Sequence, residues 1–336
     1  MRAYLVRRFL FMVVGWWLLS VVVFIVIQLP PGDFLTNYIA GQEQAGTFLE
    51  REEIESLKLY YGLDRTPIEQ YFYWAGRFVV GDLGRSFGSW RAAEQPVTKI
   101  LAEVLPFTVI LSTLALIFTF AVAIPIGIYS ATHQYRPGDY FFTAVGFIGL
   151  AVPNFMLALL LMYLLFKYFD ITAGGLFSPE YALADWSVEK VIDMLQHLIV
   201  PVVVLGTAGT ASTMRVMRGV LLDELGKQYV ITARARGVSE RKLLFKYPVR
   251  LALNPIVSST AYILPGIFGG NAIVAIVLSL PMTGPVLLTA LRAQDMFLAG
   301  SIVMVEGALV IFGTFLSDIL LALVDPRIRQ ERAVAA

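Results

Sequence analysis

The sequence predicts an all-α membrane protein that crosses the bilayer six times and keeps both termini on the cytoplasmic side. Three observations lead there. The 336 residues are 57% hydrophobic and 15% charged, with a mean hydropathy of +0.71, which falls outside the range of soluble domains. Six apolar stretches reach the roughly 20 residues that a helix needs to cross about 30 Å of hydrocarbon. The basic residues gather in alternate connections, and that asymmetry sets the orientation.

The first stretch, 9–29, follows the basic start MRAYLVRR. A signal peptide also opens with positive charge. Here the apolar run is too long for one and no A-x-A site follows, so residues 1–29 read as a retained anchor. Arg7-Arg8 as a twin-arginine signal is the weaker alternative. Residues 30–103 form an extracytoplasmic segment. Thr47-Phe-Leu-Glu50 and Thr66-Pro-Ile-Glu69 read as capping boxes, the second with Pro at N1. Leu49, Ile54, Leu57 and Tyr61 make one helical stripe. Tyr71, Phe72, Trp74 and Phe78 make an aromatic one suited to the membrane–water interface. Two uses stay open for it: a cap packed on the outer mouth, or a dock for an external partner.

The stretches 104–130, 140–168, 194–217, 251–279 and 299–324 complete a five-helix core over 104–324, followed by a tail at 325–336. Pro125, Pro153, Pro201, Pro255 and Pro265 lie in or beside them, as membrane helices tolerate. The Gly-rich 267–272 suggests close helix packing.

With the N-terminus inside, the inner segments hold Arg2, Arg7 and Arg8, then Arg136, then Arg215, Arg218, Lys227, Arg234, Arg236, Arg241, Lys242, Lys246 and Arg250, then Arg327, Arg329 and Arg332. These are most of the 26 basic residues. The outer loop 169–193 sets one Lys against Asp170, Glu180, Asp185, Glu189 and Asp193. Loop 280–298 has only Arg292 and Asp295.

Several chemistries are disfavoured. Without Cys there is no disulfide or thiol nucleophile. His133 and His197 are too far apart in sequence to suggest a metal site. A net charge of +1 argues against a nucleic-acid binder. No G-x-x-x-x-G-K-[ST] is present, so the chain has no P-loop for ATP. H-E-x-x-H and G-x-S-x-G are absent too, which weighs against an intramembrane hydrolase. Glu306 and Asp318 are carboxylates on the last span, where charge is a functional candidate by default. Glu306 either faces a pore or partner subunit, or is hydrogen-bonded inside a helix interface. Asp318 lies nearer the inner face, within reach of water or Arg, and reads as structural. Two acids on one helix are thin support for a stand-alone proton-coupled carrier.

The densest positive charge is internal, LLDELGKQYVITARARGVSERKLLFKYPVR at 221–250. Asp223 and Glu224 open it, which suits a helix N-terminus. Tyr229, Val230 and Ala233 fall at helical spacing. Gly237 breaks the pattern and Ser239 caps a second short helix. Leu243, Leu244 and Tyr247 give that helix an apolar side, while Arg241, Lys242 and Lys246 give it a wet one. Pro248 turns the chain into the next span. Positive-inside topology, binding of anionic lipid headgroups, or docking of a soluble partner each account for the charge. Periodicity does not choose among them.

TARARG at 232–237, ahead of that basic stretch, resembles the cytoplasmic loop of ABC importer permeases of the dipeptide/oligopeptide/nickel type. Ordered matches to the same subfamily run along the chain: YLVRRFL, LPPGDF (29–34), YGLDRTPIEQYF (61–72), GDLGRSF (81–87), LPFTVIL (105–111), AVPNF (151–155), HLIVPVVVLG (197–206) and LVDPRIR (323–329). The resemblance implies a type I ABC importer permease fold in the inner membrane of a prokaryote. It implies a coupling loop made by Thr232, Ala233, Arg234, Ala235, Arg236 and Gly237 with Ser239, Glu240, Arg241, Lys242, Leu243, Leu244 and Lys246, seated on an ATP-binding subunit. It also implies a second, homologous permease, one or two kinds of ATPase that bind ATP and Mg, and an extracytoplasmic solute-binding protein. This chain would then be non-catalytic, with no cofactor of its own. Oligopeptide is the leading cargo, ahead of an oligosaccharide or a nickel chelate.

The sequence departs from the subfamily before the last span. IVLSLPMTGPVLL (276–288) keeps Pro281 and Gly284 but lacks the usual Glu and full glycine set, and Glu306 stands where the family is apolar. These positions, with Asn271, mark the candidate translocation path.

Overall fold

The computed structural model describes residues 2–28, 50–62, 64–87, 94–293 and 295–324, with the single positions 35, 39 and 43. LPPGDF, Thr47 and the tail from 325 lie outside the described residues. In chain order come α1 (Arg2–Gln28), α2 (Arg51–Tyr61), α3 (Pro67–Val79), the strands β1 (Arg85–Phe87) and β2 (Glu94–Pro96), α4 (Val97–Thr132), α5 (Pro137–Ala151), α6 (Asn154–Phe169), α7 (Val188–Leu225), α8 (Gln228–Ala235), α9 (Glu240–Lys246), α10 (Pro248–Val277), α11 (Thr283–Arg292) and α12 (Met296–Val324).

Among the described residues, Val6–Val26, Val97–Thr132, Val188–Leu225 and Phe297–Ile319 are long and apolar enough to cross a membrane. The stretch 140–168, expected as one span, is two helices bent by 106°. The cause is Pro153. Its ring disfavours the helical region for the residue before it, and Val152 is extended at φ −86° and ψ 123°. The Pro153 carbonyl then accepts the N–H groups of Met156 and Leu157 at 2.9 and 3.0 Å, which starts α6. Pro125 and Pro201 sit inside α4 and α7 without ending either helix.

Two compact units emerge. One holds Phe107–Pro281 with the N-terminal piece through Phe9 and the C-terminal piece from Phe312. Within it α7 packs on α5, α6 and α10. Where α7 crosses α4 the backbones are close. A Cβ on Gly206 would stand 2.4 Å from the Phe118 ring, and one on Gly127 would stand 2.7 Å from Met217 Cβ. The Thr119 hydroxyl joins the two helices, donating to the carbonyls of Ala115 at 2.8 Å and Gly206 at 3.2 Å. Small residues and hydroxyl bridges of this kind hold helices where lipid removes the hydrophobic drive. Arg8 and Asp318 pair at 2.8 Å, so of the two partners left open for Asp318, water or Arg, an arginine is present.

The other unit holds Leu10–Pro106 and Met282–Ile311. Its core joins Val97, Ile100, Leu101 and Val104 of α4 to Val286 and Ala290 of α11 and Leu298, Ala299 and Ile302 of α12. Thr66 begins α3 as expected, its N–H donating to Glu69 Oε2 at 3.0 Å with Pro67 at N1. The box before α2 is shifted. Its N-cap is Glu50, paired with Glu53.

The aromatic stripe of α3 is spent on α1. The Phe24 ring lies 5.5 Å from Tyr71 and 5.9 Å from Trp74, Trp16 lies 5.9 Å from Phe78, and Tyr71 Oη meets Ser20 Oγ at 2.9 Å. Phe72 points away and is exposed. The antiparallel pair β1–β2 was not expected in an all-α chain. Three residues per strand are too few to show an alternating pattern.

Candidate coupling loop and translocation-path residues

The segment 226–250 forms a helix–turn–helix, α8 then α9, between the long helices α7 and α10. Asp223 and Glu224 do not open it, contrary to expectation. They lie in the last turn of α7, where a carboxylate opposes the helix dipole. Glu224 has a local use there, accepting a 2.6 Å hydrogen bond from the Tyr229 hydroxyl. Burial, and then that hydrogen bond, push the Tyr229 phenol well above its ordinary range.

The turn rests on Gly237, at φ +75°. Its N–H donates to the Arg234 carbonyl at 3.0 Å, and the Val238 N–H donates to Ala233 at 3.3 Å. This is the Schellman arrangement that closes a helix and asks for glycine at its left-handed position. Ser239 follows at the N-cap of α9. Its carbonyl accepts the Leu243 N–H at 2.9 Å, but its hydroxyl makes no capping bond. Arg234 and Glu240 tie the helices together across the turn, with Nε to Oε1 at 2.5 Å and Nη2 to Oε2 at 3.1 Å. The hydrogen bond to Arg234 holds the Glu240 carboxyl below its usual range.

Sidedness separates the expected site residues. Val230 and Leu243 are fully buried, and Leu244 packs on a core of Ala131, Met217, Leu221, Val249, Ala252 and Ile256. Val230 and Leu243 anchor the loop and present nothing outward, while Leu244 is half-buried. Thr232, Arg234, Ala235, Arg236, Gly237, Ser239, Glu240, Arg241, Lys242 and Lys246 are exposed, and Ala233 is half-buried. Sequence reasoning missed Ile231 and Phe245, which are 49% and 55% exposed among the basic groups. Their spacing on the wet side of each short helix was the available signal. The outward side of the helix pair thus mixes cations with two exposed apolar side chains.

The path candidates fall elsewhere. The Thr283 hydroxyl donates to Glu306 Oε1 at 2.5 Å, so Glu306 is half-buried and hydrogen-bonded. Gly284 lies in the first turn of α11 and is half-buried, as is Pro281 before it. The Asn271 side chain lies outside the described residues. Asp295, read from sequence only as a loop charge, is buried. It caps α12 by accepting the Leu298 N–H at 3.2 Å, and it takes the buried Ser86 hydroxyl at 2.5 Å.

The binding-protein-dependent transport system inner membrane component family matches residues 123–330, which include this entire loop. The oligopeptide transport system permease protein AppB of Bacillus subtilis (strain 168) is 31% identical over 98% of this chain and 99% of its own length. The chain belongs to this family. A second relative in it, the oligopeptide transport system permease protein OppB of Mycobacterium bovis, is 31% identical over 80% of this chain and 82% of its own length. Family membership and the apolar helices make the chain a multi-pass inner-membrane component of an ABC transport system.

Proposed function

We propose that this chain is one of two homologous pore-forming subunits of an ATP-driven importer of oligopeptides, and that the outward face of α8–α9 is its seat for an ATP-binding subunit. The observation that carries the reading is the loop itself: a glycine-closed turn, clamped by Arg234 and Glu240 and anchored by Val230 and Leu243, carries exposed cations together with exposed Ile231 and Phe245. A rigid helix pair fixed to two long helices transmits a push, whereas a floppy basic loop absorbs it. ATP and Mg belong to the partner, of which there are one or two kinds. This subunit catalyses nothing. An extracytoplasmic solute-binding protein delivers the cargo. The relatives' names favour peptide over oligosaccharide or nickel chelate. Six spans with both termini inside complete the reading, with α10 as the fifth.

The test is uptake by vesicles holding the full importer. Gly237→Arg forces a side chain into the left-handed position and onto the docking face, so ATP-driven uptake is lost while the subunit stays in the membrane. Wild-type uptake by this variant sinks the coupling role. Uptake that follows a pH gradient and ignores ATP favours a stand-alone proton-coupled carrier instead.

A further inference from the structure

A cleft of about 260 Å³ opens between α5 and α7 beside the turn that joins α4 to α5. Its polar lining includes Tyr135, Asp139, Thr143, Arg215 and Arg218, and its apolar wall includes Phe147 and Met214. The two arginines are three residues apart, on one face of α7. They are not equivalent. Arg218 is engaged with Asp139, with Nε to Oδ1 at 3.0 Å and Nη2 to Oδ2 at 2.9 Å. Asp139 is itself buried and also accepts the Tyr135 N–H at 3.1 Å. Arg215 is exposed, and its described contact is the face of the Phe147 ring, 5.1 Å from the guanidinium carbon. Among the described residues no carboxylate pairs with it. The cleft therefore holds two cations against one anion, with the surplus on the side chain aimed outward. The adjoining surface of α5 shows Phe141, Val145 and Ile148 to the surroundings, all at least 50% exposed. A helix face of that composition at a cationic rim suits the boundary between hydrocarbon and headgroups.

We infer that the α5–α7 cleft holds the headgroup of an anionic phospholipid of the inner leaflet. The phosphate sits against Arg215 and Arg218, the glycerol region meets Tyr135 and Thr143, and an acyl chain lies along Phe147 and Met214. Basic clefts between spans on the cytoplasmic side are where such headgroups are recognised, at a gain that corresponds to about five-fold per arginine. A soluble phosphate matches the arginines but leaves the apolar wall uncovered, which is why the lipid is the occupant. The inference rests on the proposed orientation, which places this end of α7 inside.

The test uses the assembled importer in phosphatidylcholine nanodiscs doped with phosphatidylglycerol, released into native mass spectrometry. Phosphatidylglycerol is retained about five-fold over phosphatidylcholine, Arg215→Gln removes that preference, and Arg215→Lys keeps most of it. Millimolar inorganic phosphate does not displace the lipid. Unchanged retention in Arg215→Gln, or displacement by phosphate, overturns the inference. Loss of a partner subunit from the Arg215→Gln complex with lipid retention intact assigns the cleft to a protein contact and also overturns it. The orientation is read separately. A cysteine at Gln134 labelled by an impermeant maleimide in intact cells places this end outside and refutes the topology, and with it the inner-leaflet assignment.

Discussion

At the residue scale, Gly237 shows what a single backbone angle decides. A Cβ there would meet nothing within 4 Å, so space does not require glycine. The φ of +75° does, because a left-handed residue with a Cβ costs about 1–2 kcal/mol. Gly237→Ala should therefore lower ATP-driven uptake. Gly237→Asn should be milder, since Asn visits that region more readily. Equal rates in all three would show that the turn geometry is not used. The Arg234–Glu240 clamp makes a different prediction. Both side chains are exposed, so breaking the pair should leave the melting temperature nearly unchanged. If the clamp sets the angle between α8 and α9, Arg234→Glu lowers uptake and the swap Arg234→Glu with Glu240→Arg restores it. The sign with pH is fixed as well. Glu240 titrates below its ordinary value, so the pair is fully present above the usual carboxylate range and is lost only as the pH falls through the lowered one. Uptake should thus show no loss from this source between about pH 5 and 8.

At the element scale, the start of α12 and the β1–β2 pair depend on one carboxylate. Asp295→Ala removes a helix cap and leaves the buried Ser86 hydroxyl without that acceptor, at a cost of about 1–3 kcal/mol. Thermal unfolding of the purified subunit would show it, and an unchanged midpoint would remove Asp295 from the stability of this unit. The same pair shows where reading the sequence stops. Ser86 and Asp295 are 209 positions apart, and no periodicity links them. Local chemistry was far more legible. Thr66-Pro-Ile-Glu69 starts α3 as written, because a capping box and an N1 proline act within four residues. Gly237 ends α8 for the same local reason. Pro153 was visible but misjudged. Membrane helices tolerate proline so widely that its presence alone does not mark a break, yet here it holds Val152 extended and one expected span is two helices. The side of each short helix was half legible. Leu243 and Leu244 were placed on the apolar face, yet only the structure shows that this face is turned into the core and that Phe245 is the one turned out.

At the scale of the whole molecule, orientation is the property on which every assigned surface depends. The loop 169–193 has five acids and one lysine, while 226–250 carries seven basic residues, and short-loop asymmetry of this size normally decides the topology. The loop 169–193 is also built as a fixed structure. The Ser178 N–H and hydroxyl donate to the two oxygens of Asp193 at 2.8 and 2.6 Å, and the Lys190 ammonium lies 4.8 Å from the Phe177 ring while donating to the Ala184 carbonyl. Leu183 stands fully exposed on it, and Lys242 is exposed on α9. The natural chain has no cysteine, so single cysteines at these two positions report on this subunit without background from its own thiols. Leu183→Cys should react with an impermeant maleimide in intact cells. Lys242→Cys should react only after the membrane is opened. Labelling of both from outside would refute a cytoplasmic α8–α9. Labelling of Lys242→Cys alone from outside would invert the molecule, and the face offered to the ATP-binding subunit would then be on the wrong side of the membrane to meet it.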